Sequence, residues 1–438
     1  MINEFWIDNF KSYKDTTQIP LTSLTFLIGA NASGKSNVLE AIRFLKWLAQ
    51  GKRLDEITRS QNTESLLRGQ PNDLFHNTKR SFQLGCGLTD SNENELFLQV
   101  DIGLVSDQLI VSGESSWTPY DGSKLPYYGI DSKPNSHTDE VQVYYNNFKR
   151  GGKKPHVPCS NQQAIFYQLE SPGRFNSDHH QSRRDIPAAA KELREQLRSI
   201  SFLDPRPSAM RGYSWVKDSE LKENGSNVSS VLHSICEQGQ SSKDRLLEFV
   251  RALPEQDIRD IEFIETDRKD VMVRLVESFG PESGRIDAPL LSDGTLRVLA
   301  IAALLLSADE GSFVVIEEID NGVHPSRAKA LVESIQKVSE ARRLRVLVTT
   351  HNPALLDALP DRSLADVLCC YRDPIVGDSR IVRLGDLPRY PELVAQASLG
   401  ELVTTRVLDR FLKDNTPEQQ RIQKSLQWLD ELKKEAAE

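Results

Sequence analysis

The sequence predicts an α/β fold: a mixed sheet flanked by helices, with a β- and loop-rich insertion and a helical C-terminal tail. Three observations predict it. The apolar run Leu24–Ile28 passes through a glycine-containing loop into the helical pattern Val38–Leu45; the run Phe313–Ile316 ends in two acids; the run Arg345–Thr350 ends at His351-Asn352-Pro353. Short apolar runs bounded by loops read as strands buried on both faces, and such strands need helices on either side.

The first loop reads Gly29-Ala30-Asn31-Ala32-Ser33-Gly34-Lys35-Ser36, followed by Asn37. Strand, loop and helix in that order make it a P-loop. Gly29 and Gly34 allow a tight turn whose amides point inward at phosphates, and the helix adds its positive N-terminal end. Lys35 is expected to reach the β and γ phosphates, and the Ser36 hydroxyl to bind Mg²⁺. A bare glycine-rich turn is the alternative, and the full match in its proper context argues against it.

The second strand delivers Glu317 and Glu318, whose side chains face opposite ways along an extended chain. By position Glu317 suits the metal and Glu318 the orientation of an attacking water. Glu317 stands where Asp is usual, and Asp320 is the alternative if the register is shifted. At the third strand, His351 can sense a γ-phosphate by hydrogen bonding, while Pro353 stops the strand. Between these strands, Leu291-Ser292-Asp293-Gly294-Thr295 opens a helix, Val298–Leu306, that is apolar nearly all round and therefore buried. Ser292 or Asp293 can cap it, and the amides at its start can take an anion.

In combination these motifs resemble the ATP-binding cassette (ABC) superfamily of P-loop ATPases, with Leu291–Thr295 in place of the LSGGQ signature. Phe10-Lys11-Ser12-Tyr13 and Glu317–Pro325 look like the RecF, SMC and OLD group, and more narrowly like stand-alone AAA-type ATPases of bacterial chromosome maintenance and phage defence, including the ATPase subunit of PARIS-like systems. Residues 201–211 share that flavour. The resemblance spans about 1–105 and 186–360. It implies ATP and Mg²⁺ as cofactors, and a homo-oligomer in which Ser292, Asp293 and Gly294 of one head meet the γ-phosphate on the P-loop of another. Asp293 departs from the family's Gly. No residue is assigned to the family's glutamine loop, since Gln83 and Gln99 both lie in strand-like segments.

Four regions follow: an ATPase lobe with the P-loop at 1–105, a β- and loop-rich insertion at 106–185, the rest of the ATPase head at 186–400, and a helical tail at 401–438. In the first, strands Ser81–Leu88 and Glu95–Ile102 flank a polar turn at 90–92. Helices are expected at Ile186–Ile200, Asn227–Glu237, Lys243–Leu253 and Thr416–Glu438. No heptad run is present, so an SMC-type coiled-coil arm is not expected. The stretch after His351 lacks the acid cluster of a Toprim nuclease domain.

With 38% hydrophobic residues, no apolar run approaches the length of a membrane span, and a cytoplasmic location with no membrane partner is expected. The five cysteines show neither zinc spacing nor a disulfide framework. His179-His180 reads as solvated loop more readily than as a metal site. A net charge of −9 argues against a broad nucleic-acid surface, although DNA remains a possible ligand at the aromatic and basic stretch Tyr144–Lys154.

The function expected is an ATP-binding and hydrolysing switch in bacterial phage defence, pairing its heads around ATP and controlling a separate effector protein, a nuclease or toxin. The alternative is a RecF-like DNA-binding ATPase of recombination and repair. A transporter subunit fits less well, because the P-loop and acid pair stand far apart.

Overall fold

Three sheets organise the computed structural model, which describes residues 1–59, 67–90, 93–119, 126–131, 138–149, 151–251, 257–279, 282–319, 325–387 and 389–413. The central one has six strands, in the order Ser201–Leu203, Phe313–Ile316, Arg345–Thr350, Leu24–Ile28, Leu368–Arg372 and Ser379–Arg383. The first five are parallel and the last pairs antiparallel. All three apolar runs of the sequence therefore lie side by side, with the histidine strand between the P-loop strand and the acid strand.

Period-two alternation sends neighbouring residues to opposite faces of this sheet. Leu27, Phe313, Val315, Leu347 and Cys370 join one core with the helix Lys35–Ala49 and the helix His180–Arg198. Phe26, Ile28, Val314, Ile316, Val348 and Cys369 join a second core with the helices Val228–Glu237, Gln240–Arg251 and Asp293–Ser307. The adjacent cysteines thus belong to opposite cores, and burial pushes the Cys369 thiol up to about 12.

The first core is closed by an eight-stranded antiparallel sheet, ordered Thr17–Pro20, Ile2–Asp8, Ser81–Thr89, Glu95–Val105, Gln108–Trp117, Tyr128–Ile130, Glu140–Tyr145 and His156–Ser160. Ser106 and Asp107, both at positive φ, form the two-residue turn joining Glu95–Val105 to Gln108–Trp117. The sheet therefore runs through residue 105 without a break. Within it Gln83 and Gln99 both donate to Asp101. A third sheet, Ser214–Trp215, Ile258–Glu265, Asp270–Phe279 and Glu282–Asp287, packs beside the helix Val228–Glu237.

Several helices differ from the sequence expectation in their bounds; the one expected over Val298–Leu306 spans Asp293–Ser307. The helix expected from Ile186 begins at His180, because its first turn and a half is polar and carries no apolar period. The helix expected over Lys243–Leu253 starts earlier, at Gln240, and is described to Arg251, with residues 252–253 outside the described residues. The expected helix Thr416–Glu438, Asp320 and residues 91–92 lie outside the described residues. No described helix is long and apolar enough to cross a membrane.

Candidate functional site

Parallel strands end together, and this sheet brings its P-loop, acid and histidine motifs to one edge. Ile28 pairs with Thr350 and Ile316 with Val348, so Gly29, His351 and the acids Glu317 and Glu318 all follow the ends of adjacent paired strands. At about 4.8 Å per strand, the acids sit roughly 10 Å from the P-loop strand, with the histidine between them.

The P-loop is shaped by close packing. Gly29 has φ 150°, and a Cβ there would lie 2.1 Å from the Cys370 carbonyl oxygen; Gly34 has φ 122°, and its Cβ would lie 2.4 Å from Ser379 Oγ. Neither position admits a side chain. The Lys35 ammonium donates to the carbonyls of Gly29 at 2.5 Å and Ala30 at 3.1 Å, which folds it back over its own loop. Ser36 is exposed in the first turn of the helix Lys35–Ala49.

Beneath the loop lies a polar floor that sequence reasoning missed. Ser379 Oγ donates to the Ser33 carbonyl at 2.5 Å, Cys370 Sγ reaches the same oxygen at 3.3 Å, and Tyr13 Oη donates to the Gly34 carbonyl at 3.3 Å. Asn37 donates to Ser12 Oγ at 2.7 Å, and Ser12 Oγ and Ser379 Oγ are hydrogen-bonded to each other at the same distance. Arg372 Nε donates to the Ala32 carbonyl at 3.0 Å. The stretch Phe10–Tyr13 thereby acquires a physical role: Phe10 is buried in the core, and Ser12 and Tyr13 brace the loop. A cavity of about 460 Å³ opens alongside, lined among others by Lys11, Ser12, Asn37, Arg68, His76 and Arg372.

Glu317 faces the P-loop helix, where Arg43 pairs with it. Burial raises the Glu317 carboxyl above its ordinary value, against the opposing pull of Arg43. Glu318 adopts φ 44°, a left-handed conformation costly for a residue with a side chain, and its amide donates to Thr349 Oγ1 at 3.0 Å. Thr349 of the histidine strand therefore fixes the turn that presents Glu318. His351 is exposed at its strand end, and Asn352 caps the short helix Pro353–Asp357 by accepting from Ala354 N at 2.9 Å.

At the candidate signature, Ser292 is the cap: its Oγ accepts from Thr295 N at 3.1 Å. Asp293 pairs with Arg211, whose guanidinium also donates to the carbonyls of Pro289 at 2.8 Å and Leu291 at 2.7 Å. Arg211 belongs to the 201–211 stretch and stitches it to the signature loop. Gly294 is buried at the start of the helix Asp293–Ser307. The contacts of Arg43, Arg211, Cys370 and Ser379 were not legible in the sequence, because each acts on residues far away in the chain.

His179 shares a hydrogen bond with Tyr145 at 2.9 Å, and no group of three His, Cys, Asp or Glu suited to a metal occurs among the described residues. Tyr145 itself is buried against Phe175, so the stretch Tyr144–Lys154 turns part of its aromatic side inward while Lys149, Gly151, Gly152 and Lys153 remain exposed.

The residues present fit a nucleoside triphosphate with its metal. Two positions where a Cβ is excluded form the phosphate cradle, and Ser36 with Glu317 offers the hard oxygen donors that Mg²⁺ takes.

The chain is 23% identical over 368 residues to a Helicobacter pylori protein named "ATP/GTP phosphatase", covering 82% of this chain and 87% of the relative. Among solved structures, an SMC head bound to the C-terminal winged-helix domain of ScpA aligns with TM-score 0.46 at 15% identity, covering 87% of this chain and 96% of that one. The Thermotoga maritima SMC head domain aligns with TM-score 0.42 at 15% identity, covering 87% and 98%. The family model described as "AAA domain, putative AbiEii toxin, Type IV TA system" matches residues 24–117 and 168–357, from the P-loop strand past His351. The chain belongs to that AAA-domain family of P-loop ATPases.

Proposed function

We propose that this protein is an ATP-gated dimerising switch that binds and slowly hydrolyses ATP with Mg²⁺ and controls a separate effector protein in bacterial phage defence. The observation that carries the nucleotide chemistry is the shared sheet edge, where P-loop, acids and histidine end on adjacent strands. Gly29–Ser36 cradle the phosphates through backbone amides, with Asn37 alongside, and Lys35 neutralises their charge. Ser36 and Glu317 hold the metal, which when bound offsets negative charge on the phosphates. Glu318 orients the attacking water, and His351 contacts the γ-phosphate. Lys11, Arg68 and Arg372 line the adjoining cavity together with Asp73 and Asp378, and Lys11 and Arg68 share the Glu40 carboxylate.

Dimerisation rests on the exposed signature start. Ser292 and Asp293 lie at the surface, rigidly held by the cap and by Arg211, ready to meet the phosphates of a second copy. The family description, which names a toxin and a type IV TA system, supports a role in defence with a partner protein.

The test is the mass in solution of the Glu318→Gln variant, with and without ATP and Mg²⁺ and with duplex DNA as a further condition. Hydrolysis should fall by roughly 10²–10⁴-fold, the usual worth of a lost general base, and ATP should trap a dimer indifferent to DNA. A monomer under every condition would sink the switch. Pairing that strengthens with DNA and fades with salt would point to a DNA clamp.

A further inference from the structure

Arg43 occupies an unusual position. It lies seven residues after Ser36 on the P-loop helix, hence on the same helix face and about 10 Å along the axis. One nitrogen, Nη2, touches Oε1 of both Glu317 and Glu223. The guanidinium also stacks over Phe202, 4.5 Å from the ring centroid. Two carboxylates thus share one cation, and one of them is the candidate metal ligand.

The two acids differ in their surroundings. The Glu317 side chain is 21% exposed and the Glu223 side chain 50%. Glu317 depends on a cation because burial penalises its charge. Glu223 is largely hydrated, and its carbonyl accepts from Asp204 N at 2.8 Å, which fixes its backbone beside the strand Ser201–Leu203. A planar guanidinium held on Phe202 can keep one partner while releasing the other.

We propose that Arg43 is a positioning residue that competes with a divalent cation for Glu317, and that Glu223 retains Arg43 when the cation takes the Glu317 carboxylate. The proposal rests on reading Glu317 as the metal carboxylate. The exchange keeps every charge paired: Arg43 with Glu223, Glu317 with the metal. It makes Glu223, remote from the P-loop in sequence, a determinant of metal affinity.

The experiment is a titration of manganese(II), followed by the electron paramagnetic resonance of the free ion, into protein saturated with a non-hydrolysable ATP analogue. Arg43→Met removes the competitor and should tighten manganese binding on the order of tenfold, whereas Glu223→Gln leaves Arg43 wholly on Glu317 and should weaken it by a similar factor. Opposite signs support the exchange. Two losses, or two unchanged affinities, overturn it, since a merely structural role moves both the same way. Should Arg43→Met not fold, Glu223→Gln decides: weakened binding supports the exchange and unchanged binding ends it. Glu317→Gln separates the two readings. If it leaves manganese affinity intact, Glu317 is not the metal ligand and the proposal falls with that assignment; if it weakens binding while the other two variants do not diverge, only the exchange is lost.

Discussion

Lys35 is the residue whose chemistry the cradle most depends on. Its ammonium is folded over the loop by two backbone carbonyls, so it already stands where phosphate charge would gather. A hydrogen bond to a charged group is worth about 1.5–3 kcal/mol, so Lys35→Ala should weaken ATP binding by roughly tenfold to a hundredfold in calorimetric titration. Unchanged affinity would remove the P-loop assignment. Residues of this kind were legible in the sequence because the whole device lies in eight consecutive positions, of which Gly29, Gly34, Lys35 and Ser36 are the types that the motif specifies. Arg211 was not. Its value lies in reaching Asp293 and two carbonyls of the loop before Ser292, and no local pattern announces a partner so distant. The same contact accounts for an acid standing where the signature usually has glycine.

At the scale of elements, the buried strands were legible to the residue. Leu24–Ile28, Phe313–Ile316 and Arg345–Thr350 have the bounds read from their apolar runs. Elements whose ends are polar were less legible, as the early start of the helix at His180 shows. Within the expected β- and loop-rich insertion, the individual strands Tyr128–Ile130, Glu140–Tyr145 and His156–Ser160 were not read, because they are short and Gly129 and Pro158 interrupt two of them. One residue ties that region down. Glu114, fully buried on the strand Gln108–Trp117, accepts from Ile165 N and Phe166 N at 2.6 Å and from Tyr128 Oη at 2.8 Å. Burial pushes its carboxyl up to about 7 against the pull of those donors. The folded state therefore holds a proton that the unfolded chain releases near the ordinary carboxylic-acid value. Stability from this group is present at low pH and is lost as pH rises through about 7, by roughly 3 kcal/mol in all. Melting temperature measured from pH 5 to 8 should show this decline in the wild type and a flatter profile in Glu114→Gln. Parallel profiles in the two proteins would exclude Glu114 as its source.

For the whole molecule, the arrangement of motifs at one edge yields a prediction about assembly. Ser292 is exposed and held by its cap, so Ser292→Arg should leave each head folded and able to bind ATP while blocking ATP-dependent pairing. Analytical ultracentrifugation with ATP and Mg²⁺ reads the outcome, and a dimer unaffected by the substitution would defeat the sandwich. The order of motifs in the chain made the nucleotide edge legible, but the support beneath it was not, because the central sheet draws strands from residues 24 to 383. That breadth bears on how the protein is made. The loop Gly29–Ser36 is synthesised well before its floor, Cys370, Arg372 and Ser379, and before the neighbouring strand that ends at Thr350. Contacts so far apart in sequence form late. A growing chain therefore carries Gly29–Ser36 without the contacts that shape the loop until residues 370–379 have followed it.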